Sequence, residues 1–316
     1  HLGVWDHPER NIATSFPALR HGSLPGILHE HGWSTRFFTA ADPAWDNETP
    51  WLGRWYDGFD YSPARERDGD MLEFASRWMR DSLAAAKPFF VAMMTKSNHY
   101  PFDQNGEWSR EKDLRKRLDL SLAYTDSCIG AFVRSISNEP WFPKTVFVVT
   151  GDHGFPLGEH GPGNMGHGLF TESTWLPLVV WGGATDLVKP GISSIPSSHL
   201  DIAPTVLRLA GVRASNHFAG HDLLDPARAD SVVVVQSHYD ELAGTRGIWK
   251  AHGTFSGIAR EKGPQMFRLD LDPREEHDSA KGHEALRDTL VHEARKRVGL
   301  LVEVLRRDAL APKSTP

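Results

Sequence analysis

An aspartate–histidine pair stands directly behind a short apolar run in the middle of the chain. Residues 145–150 are mostly apolar and β-branched, and the run stops at Gly-Asp152-His153-Gly. Such a run predicts a strand buried on both faces, as in a parallel sheet. Ligand groups of open α/β sheets gather just beyond the carboxyl ends of these strands, and a carboxylate beside an imidazole suits a divalent metal. We therefore expect a metal or phosphate-type site at Asp152 and His153.

Two further histidines follow this pair at steps of seven. His153, His160 and His167 lie in one glycine-rich loop, and a second apolar run follows at residues 176–181. One interpretation is a surface loop whose histidines are merely exposed. The strand before the loop and the grouping of three histidines favour a functional site instead.

A second polar cluster stands behind another apolar run. Residues 88–95 predict a buried strand, and Lys96, Asn98 and His99 follow it within a turn that a proline closes. His99 has an ordinary interpretation as a loop or capping residue. Its grouping with Lys96 and Asn98 at a strand end indicates a site.

The elements that must position these clusters alternate between helix and strand. Apolar residues at three- and four-residue spacings predict helices, and apolar runs between turn residues predict strands. The other predicted elements are helices at 23–32, 70–86, 109–137, 199–211 and 283–307 and strands at 35–40, 231–236, 247–253 and 265–271. Residues 42–61, which include Trp45, are rich in Gly, Pro and Asp, and we expect a functional loop there.

This order of elements predicts the α/β class, with a doubly wound, mostly parallel sheet sandwiched by helices. The closely spaced strands after residue 216 predict a small C-terminal antiparallel sheet, and a terminal helix follows them. We expect residues 1–215 to form the α/β domain and residues 216–316 to pack on it.

Composition excludes some classes of function. The chain has 316 residues, of which 24% are charged and 40% apolar, and its net charge is −6. This charge gives no reason to expect a nucleic-acid partner. The single cysteine, Cys128, excludes an internal disulfide and a thiolate metal site. No apolar stretch approaches the ~18 residues that span a membrane, so membrane contact is expected only through an upstream segment.

Several phrases of the sequence resemble one protein superfamily. They are, in order, SLPGILHEHGWSTRFF, PFFVAMMTKSNHYPF, TVFVVTGDHG with LGEHG, STWLPLVVWGG, HLDIAPTVLRLAGV and FRLDLDPREEHD. Together they cover nearly the whole chain and resemble the sulfatase branch of the alkaline-phosphatase superfamily. Within it, TKSNHYPF and ADPAWDN are most similar to the lipoteichoic-acid-synthase and phosphoglycerol-transferase group.

The resemblance implies metal-dependent hydrolysis or transfer of a phosphate or sulfate ester through a covalent intermediate. The implied metal ligands are Asp152 and His153, the implied catalytic residues are Lys96, His99 and His167, and the implied substrate-binding residues are Trp45 and Asn98. One divalent ion (Mn²⁺, Mg²⁺ or Ca²⁺) is expected, because the Asp-x-x-x-His set of the two-zinc phosphatases is absent between residues 96 and 151. The expected partner is a small-molecule, glycan-linked or lipid-linked ester, and the expected location is extracytoplasmic.

One part of the family pattern has no match in this sequence. The family carries an acidic metal ligand and a Thr, Ser or formylglycine nucleophile upstream of the segment that residues 1–4 resemble. Cys128 lacks the C-x-P-S-R context of formylglycine. We therefore expect a fragment that is inactive alone, with Thr14 or Ser15 as alternative nucleophiles. The alternative function is an inactive binding or scaffold domain.

Overall fold

The computed structural model describes residues 12–15, 22–45, 47–83, 87–103, 107–161, 168–183, 187–227, 232–236, 241–254, 256 and 263–310. Its helices are α1 (Ile12–Ser15), α2 (Leu24–Glu30), α3 (Thr49–Trp55), α4 (Asp68–Ser82), α5 (Leu114–Ile136), α6 (Thr171–Thr174), α7 (Ile202–Leu209) and α8 (Glu284–Leu310). Its strands are β1 (Ser34–Thr39), β2 (Gly58–Asp60), β3 (Phe89–Met94), β4 (Val146–Thr150), β5 (Leu178–Gly182), β6 (Val233–Gln236), β7 (Glu241–Arg246), β8 (Trp249–Thr254) and β9 (Gln265–Arg268).

These elements cluster into two compact units. The N-terminal unit contains the described residues from Ser23 to Val146, together with Gly182 and Gly183. The C-terminal unit contains the other described residues, from Phe147 to Trp181 and from Leu187 onward, with α1 and Gly22. The predicted domain boundary at residue 216 stays a prediction.

The N-terminal unit is built on a parallel sheet in which β1 lies between β2 and β3. Phe37 of β1 pairs with Phe59 on one side and with Ala92 on the other. Phe37 also packs with the buried Leu52 and Tyr56. The sheet places the turn after β3 at its carboxyl edge, as the sequence predicts.

The expectation of a loop over residues 42–61 is wrong for part of that segment, because α3 and β2 lie within it. Pro50 occupies the first turn of α3, where a proline removes no helical hydrogen bond. Trp51 and Leu52 are both buried. The burial of this apolar face stabilises a helix that Gly, Pro and Asp content obscured.

The C-terminal unit contains an antiparallel sheet in the order β6-β7-β8-β9, covered by α8. Buried residues of the sheet and of α8 form one core, and they include Leu242, Ala251, Met266, Leu290, Ala294 and Val298. In the same unit, Phe147 of β4 stacks on Trp181 of β5. The α/β class, with a parallel sheet, a small antiparallel sheet and a terminal helix, is therefore confirmed.

The sequence analysis did not predict strand β7, which contains a glycine, Gly244, at a position packed against α8. A Cβ at Gly244 would lie 2.5 Å from the backbone oxygen of Leu290 in α8. The strand therefore needs a residue without a side chain here, although glycine is a poor strand former.

We expect Gly244→Ala to lower the free energy of unfolding by about 1–3 kcal/mol, because α8 must move away from the sheet. Gly53→Ala is the matched control, since Gly53 lies in α3 with no atom within 4 Å of its added Cβ. The control should stabilise by about 0.5–1 kcal/mol, as in any exposed helix. Urea denaturation of both variants measures the difference, and equal effects would show that the sheet–helix contact tolerates a methyl group.

Candidate active site

Asp152 and His153 form an exposed turn directly behind β4 in the C-terminal unit. The two side chains are 88% and 66% exposed, respectively. The His153 backbone N–H donates to Asp152 Oδ1 at 2.9 Å, and His153 Nδ1 lies 2.7 Å from the Gly154 carbonyl oxygen. A carbonyl only accepts, so Nδ1 carries the proton and the neutral ring has its lone pair at Nε2.

This arrangement leaves two potential ligand atoms near each other. His153 Nε2 lies 3.7 Å from Asp152 Oδ2, which is too far for a hydrogen bond. Two ligands of one cation at bond lengths of about 2.0–2.5 Å have a separation of this order. The bond from Nδ1 to a carbonyl is also the contact that orients metal-binding histidines. The donor set and its orientation fit a divalent cation.

Neighbouring segments of the same unit hold the turn in place. His199 Nε2 lies 2.7 Å from the Gly151 carbonyl oxygen, and the Gly154 N–H donates to the Ser173 carbonyl at 2.8 Å. A Cβ on Gly154 would lie 2.1 Å from the Glu172 carbonyl oxygen, so only glycine fits there. Sequence reasoning assigned no role to His199, although it opens the phrase HLDIAPT. Two hydrogen bonds and the close approach of Gly154 to the backbone of Glu172 therefore restrain the turn behind its strand.

His160 lies in the loop after the turn and has structural contacts. Its ring stacks on Phe170 at 3.7 Å, and its Nδ1 lies 2.6 Å from Glu172 Oε1. Its Nε2 lies 3.2 Å from the backbone oxygen of Glu275. These contacts agree with a role for His160 in loop structure. His167 lies outside the described residues.

Lys96, Asn98 and His99 share the turn behind β3 in the N-terminal unit. The buried Asp68 anchors this turn, because its Oδ1 accepts the backbone N–H groups of Lys96 at 2.7 Å and Ser97 at 3.2 Å. The exposed His99 places Nδ1 2.7 Å from the Tyr100 carbonyl oxygen, so its Nε2 faces away from this bond. When His99 is neutral, its proton is therefore on Nδ1 and its lone pair is on Nε2.

The Lys96 ammonium is held by an acidic neighbour. Lys96 Nζ donates to Glu66 Oε2 at 3.0 Å, and the Tyr61 hydroxyl donates to Glu66 Oε1 at 2.6 Å. The hydrogen bond to Glu66 raises the pKa of Tyr61 to about 12. The bonds from Tyr61 and then Lys96 lower the pKa of Glu66. Glu66 is thus a charged carboxylate that positions a charged lysine.

The other candidates lie on exposed positions. Trp45 is 87% exposed and lies in a turn in which the Ala44 N–H donates to Asp42 Oδ1 at 2.9 Å. Thr14 and Ser15 lie exposed on α1 in the C-terminal unit. Trp45 thus belongs to the N-terminal unit, whereas Thr14 and Ser15 belong to the C-terminal unit.

A further group of potential metal ligands contains Asp272, Glu276 and His277. Asp272 Oδ1 accepts the Glu276 N–H at 3.0 Å, and Oδ2 accepts the His277 N–H at 2.9 Å. Both carboxylate oxygens of Asp272 therefore already accept backbone hydrogen bonds within this turn.

Over the described ranges, no helix combines the length and the apolar character that a membrane span requires.

Comparison with known proteins identifies the family. A family model described as Sulfatase matches residues 1–212. Arylsulfatase K from Danio rerio is 33% identical over 186 residues, which are 54% of this chain and 35% of that protein. The chain spans between about a quarter and a half of the length of the curated relatives it matches.

Solved structures share the fold. A protein in the alkaline phosphatase superfamily from Vibrio parahaemolyticus superimposes with a TM-score of 0.72 at 18% identity, over 97% of this chain and 74% of that one. The lipoteichoic acid synthase LtaP from Listeria monocytogenes superimposes with a TM-score of 0.64 at 16% identity, over 95% and 78% of the two chains. The match to the family model over residues 1–212 shows that the chain belongs to the sulfatase family.

Proposed function

We propose that this chain carries metal-binding and substrate-binding parts of an enzyme that hydrolyses or transfers a phosphate or sulfate ester. The observation that carries the proposal is the Asp152–His153 turn, where a carboxylate oxygen and an imidazole nitrogen with a defined tautomer lie 3.7 Å apart at a strand end. Membership of the sulfatase family and the name of arylsulfatase K support the reaction class. The fold shared with LtaP keeps phosphoglycerol transfer among the alternatives.

A single divalent cation, Mn²⁺, Mg²⁺ or Ca²⁺, would be held by Asp152 and His153. When bound, it would neutralise charge on the ester and on an attacking hydroxyl. A Thr or Ser hydroxyl would pass its proton to solvent water and attack phosphorus or sulfur, while the bond to the leaving alcohol breaks and its electron pair goes to the leaving oxygen. The result is an ester between the protein and the transferred group, which water or a second alcohol then cleaves.

Residues of the N-terminal unit would serve the leaving group and the charged oxygens. When both of its nitrogens are protonated, His99 can deliver the Nε2 proton to the leaving alkoxide, while its Nδ1–H stays on the Tyr100 carbonyl. Lys96 offers a positive charge to the ester oxygens that gain negative charge, and Glu66 fixes the position of Lys96.

We assign His167 a basic contact to the ester and Trp45 a contact to its alcohol. We also propose an extracytoplasmic location from the family resemblance.

Metal binding tests the site directly. Titration of Mn²⁺ into the chain, followed by calorimetry and electron paramagnetic resonance, should detect one bound ion. Asp152→Ala and His153→Ala should each weaken Mn²⁺ affinity by more than about 100-fold, because each removes a ligand. His277→Ala is the matched control, since His277 belongs to the other ligand group and is 82% exposed.

Two results would contradict this assignment. Unchanged affinity in Asp152→Ala would remove the turn from the metal site, and a loss confined to His277→Ala would place the ion at Asp272 and Glu276. Turnover of p-nitrophenyl phosphate or sulfate, abolished by chelation and restored by Mn²⁺, would establish the reaction class. A chain that binds Mn²⁺ at Asp152 and turns over neither ester has either a binding role or the missing nucleophile that the sequence predicts, and turnover by a version that includes an upstream nucleophile separates the two.

A further inference from the structure

Asn98 lies against two hydroxyl groups whose hydrogens are already used. Ser121 Oγ lies 2.7 Å from the Ser97 carbonyl oxygen and 2.6 Å from one amide atom of Asn98. Thr125 Oγ1 lies 2.8 Å from Asp68 Oδ2 and 3.3 Å from the same amide atom. That amide atom is placed as Oδ1.

Counting hydrogens contradicts this placement. A hydroxyl has one hydrogen, and a backbone carbonyl or a carboxylate can only accept. Ser121 therefore donates to the Ser97 carbonyl, and Thr125 donates to Asp68. Asp68 is a carboxylate that also accepts two backbone N–H groups. Both hydroxyls consequently offer Asn98 only lone pairs. If the inner amide atom of Asn98 were oxygen, no hydrogen would lie between it and Ser121 Oγ, which is 2.6 Å away.

The opposite amide orientation satisfies every group. The amide nitrogen of Asn98 carries two hydrogens, which match the two lone pairs of Ser121 and Thr125. Oxygen and nitrogen of an asparagine amide are assigned from such networks, because their shapes are nearly the same. With the nitrogen inward, the Asn98 carbonyl oxygen faces away from Ser121 and Thr125, both of which are buried.

The outward atom of Asn98 has no hydrogen-bond partner among the residues that the structure describes. That atom is not fully buried, and the Asn98 residue is half-buried. A carbonyl oxygen there accepts a hydrogen bond, and it repels the negatively charged oxygens of a sulfate or phosphate. Lys96 and His99, on either side of Asn98 in the turn, supply the groups suited to those anionic oxygens.

We propose that Asn98 presents its carbonyl oxygen outward and selects esters whose alcohol part carries a free hydroxyl near the ester bond. This inference rests on the proposed function. It assigns Asn98 to the alcohol part of the ester, whereas Lys96 and His99 serve the anionic oxygens. The ligand class is a monoester of a polyol, such as a glycol, glycerol or a sugar. A hydroxyl donor on the alcohol makes the bond that an ether or deoxy analogue cannot make.

The amide orientation can be measured without any activity. Selective ¹⁵N labelling of asparagine gives side-chain NH₂ signals, and Asn98→Ala assigns the pair from Asn98. If its NH₂ is held by Ser121 and Thr125, exchange with water should be at least about tenfold slower than for the exposed Asn138. The isosteric Thr125→Val should accelerate that exchange. Exchange of Asn98 as fast as that of Asn138 would overturn the orientation.

Selectivity tests the recognition itself. The monoester of ethylene glycol has a free hydroxyl, and the monoester of 2-methoxyethanol has a methyl cap in its place. We expect the chain to bind the glycol ester about 2- to 13-fold more tightly than the methoxyethyl ester, the value of one hydrogen bond to a neutral group. In Asn98→Ala the ratio should fall to about one.

The two experiments separate the two failures. Equal affinity of the unaltered chain for the two esters would overturn the recognition role and leave the proposed function intact. Binding of neither ester in the presence of Mn²⁺ would overturn the proposed substrate-binding function and the recognition role together. The exchange experiment decides the amide orientation in either case.

Discussion

Replacing Glu275 by alanine should lower the free energy of unfolding of the C-terminal unit by about 3–5 kcal/mol. The Glu275 side chain is fully buried, and its carboxylate accepts Lys250 Nζ at 3.1–3.2 Å and His252 Nε2 at 3.2 Å. It also accepts the backbone N–H and the hydroxyl of Thr171. Without the carboxylate, the buried Lys250 ammonium loses the countercharge to which it is hydrogen-bonded. An uncompensated buried charge is among the largest single-residue penalties in a folded protein.

Paired variants separate the broken pair from lost packing. Glu276→Ala is the matched control, because it is the next residue and exposed, and it should change the unfolding free energy by less than about 0.5 kcal/mol. The double variant Lys250→Met with Glu275→Gln removes both charges and should recover much of the stability. Thermal and urea denaturation measure all of these variants. A loss in Glu275→Ala no larger than in Glu276→Ala would show that the network contributes nothing.

The same network predicts how stability depends on pH. Burial raises the pKa of Glu275, but the hydrogen bond from His252 and the charge of Lys250 outweigh it and lower the pKa to about 2 from an ordinary value of 4.5. The unfolded chain therefore takes up this proton more readily than the folded chain. Glu275 contributes about 3 kcal/mol above its unfolded pKa, and the contribution is lost as pH falls from about 5 towards 2.

His252 adds to this acid sensitivity. Burial lowers the pKa of His252 from its ordinary value of 6.5. The unfolded chain binds a proton at His252 more readily than the folded chain does, so stability again falls as the pH is lowered through about 6.5. In Glu275→Gln the decline between about pH 5 and 2 should become shallower. An unchanged slope in that variant would remove Glu275 from the acid transition.

The residues of this network show where sequence reasoning stops. The phrase that contains Glu275 helped to identify the family, yet its partners are distant in the chain: Lys250 lies 25 positions away and Thr171 lies 104 positions away. No periodicity or local motif reports such contacts. The Asp152–His153 turn was predictable, because a buried strand and the turn behind it are a local pattern.

Asn98 illustrates the same limit at the level of one amide group. Its position behind a strand was predictable from residues 88–99 alone. Its orientation depends on Ser121 and Thr125, which α5 brings to it, and on Asp68 from the start of α4. Likewise, α3 and β7 were missed because burial of Trp51 and the fit of Gly244 against α8 override local composition.

Replacing Asp68 by alanine should destabilise the N-terminal unit by about 3–5 kcal/mol. Asp68 is fully buried at the start of α4, where a negative charge also favours the helix dipole. Its loss leaves the N–H groups of Lys96 and Ser97 without acceptors inside the protein. Asp68→Asn should be milder, because its amide oxygen still accepts both N–H groups.

Asp70→Ala is the matched control for Asp68→Ala, because Asp70 lies in the same first turn of α4 and is exposed. It should cost no more than about 1 kcal/mol, the contribution of the helix dipole alone. Hydrogen exchange of the Lys96 and Ser97 amides should accelerate in Asp68→Ala and not in Asp70→Ala. Asp68→Ala also frees the Thr125 hydroxyl to donate to Asn98, so the Asn98 amide should lose its single orientation. Equal stability and equal exchange in the two variants would mean that the turn carrying Lys96, Asn98 and His99 holds its shape without Asp68.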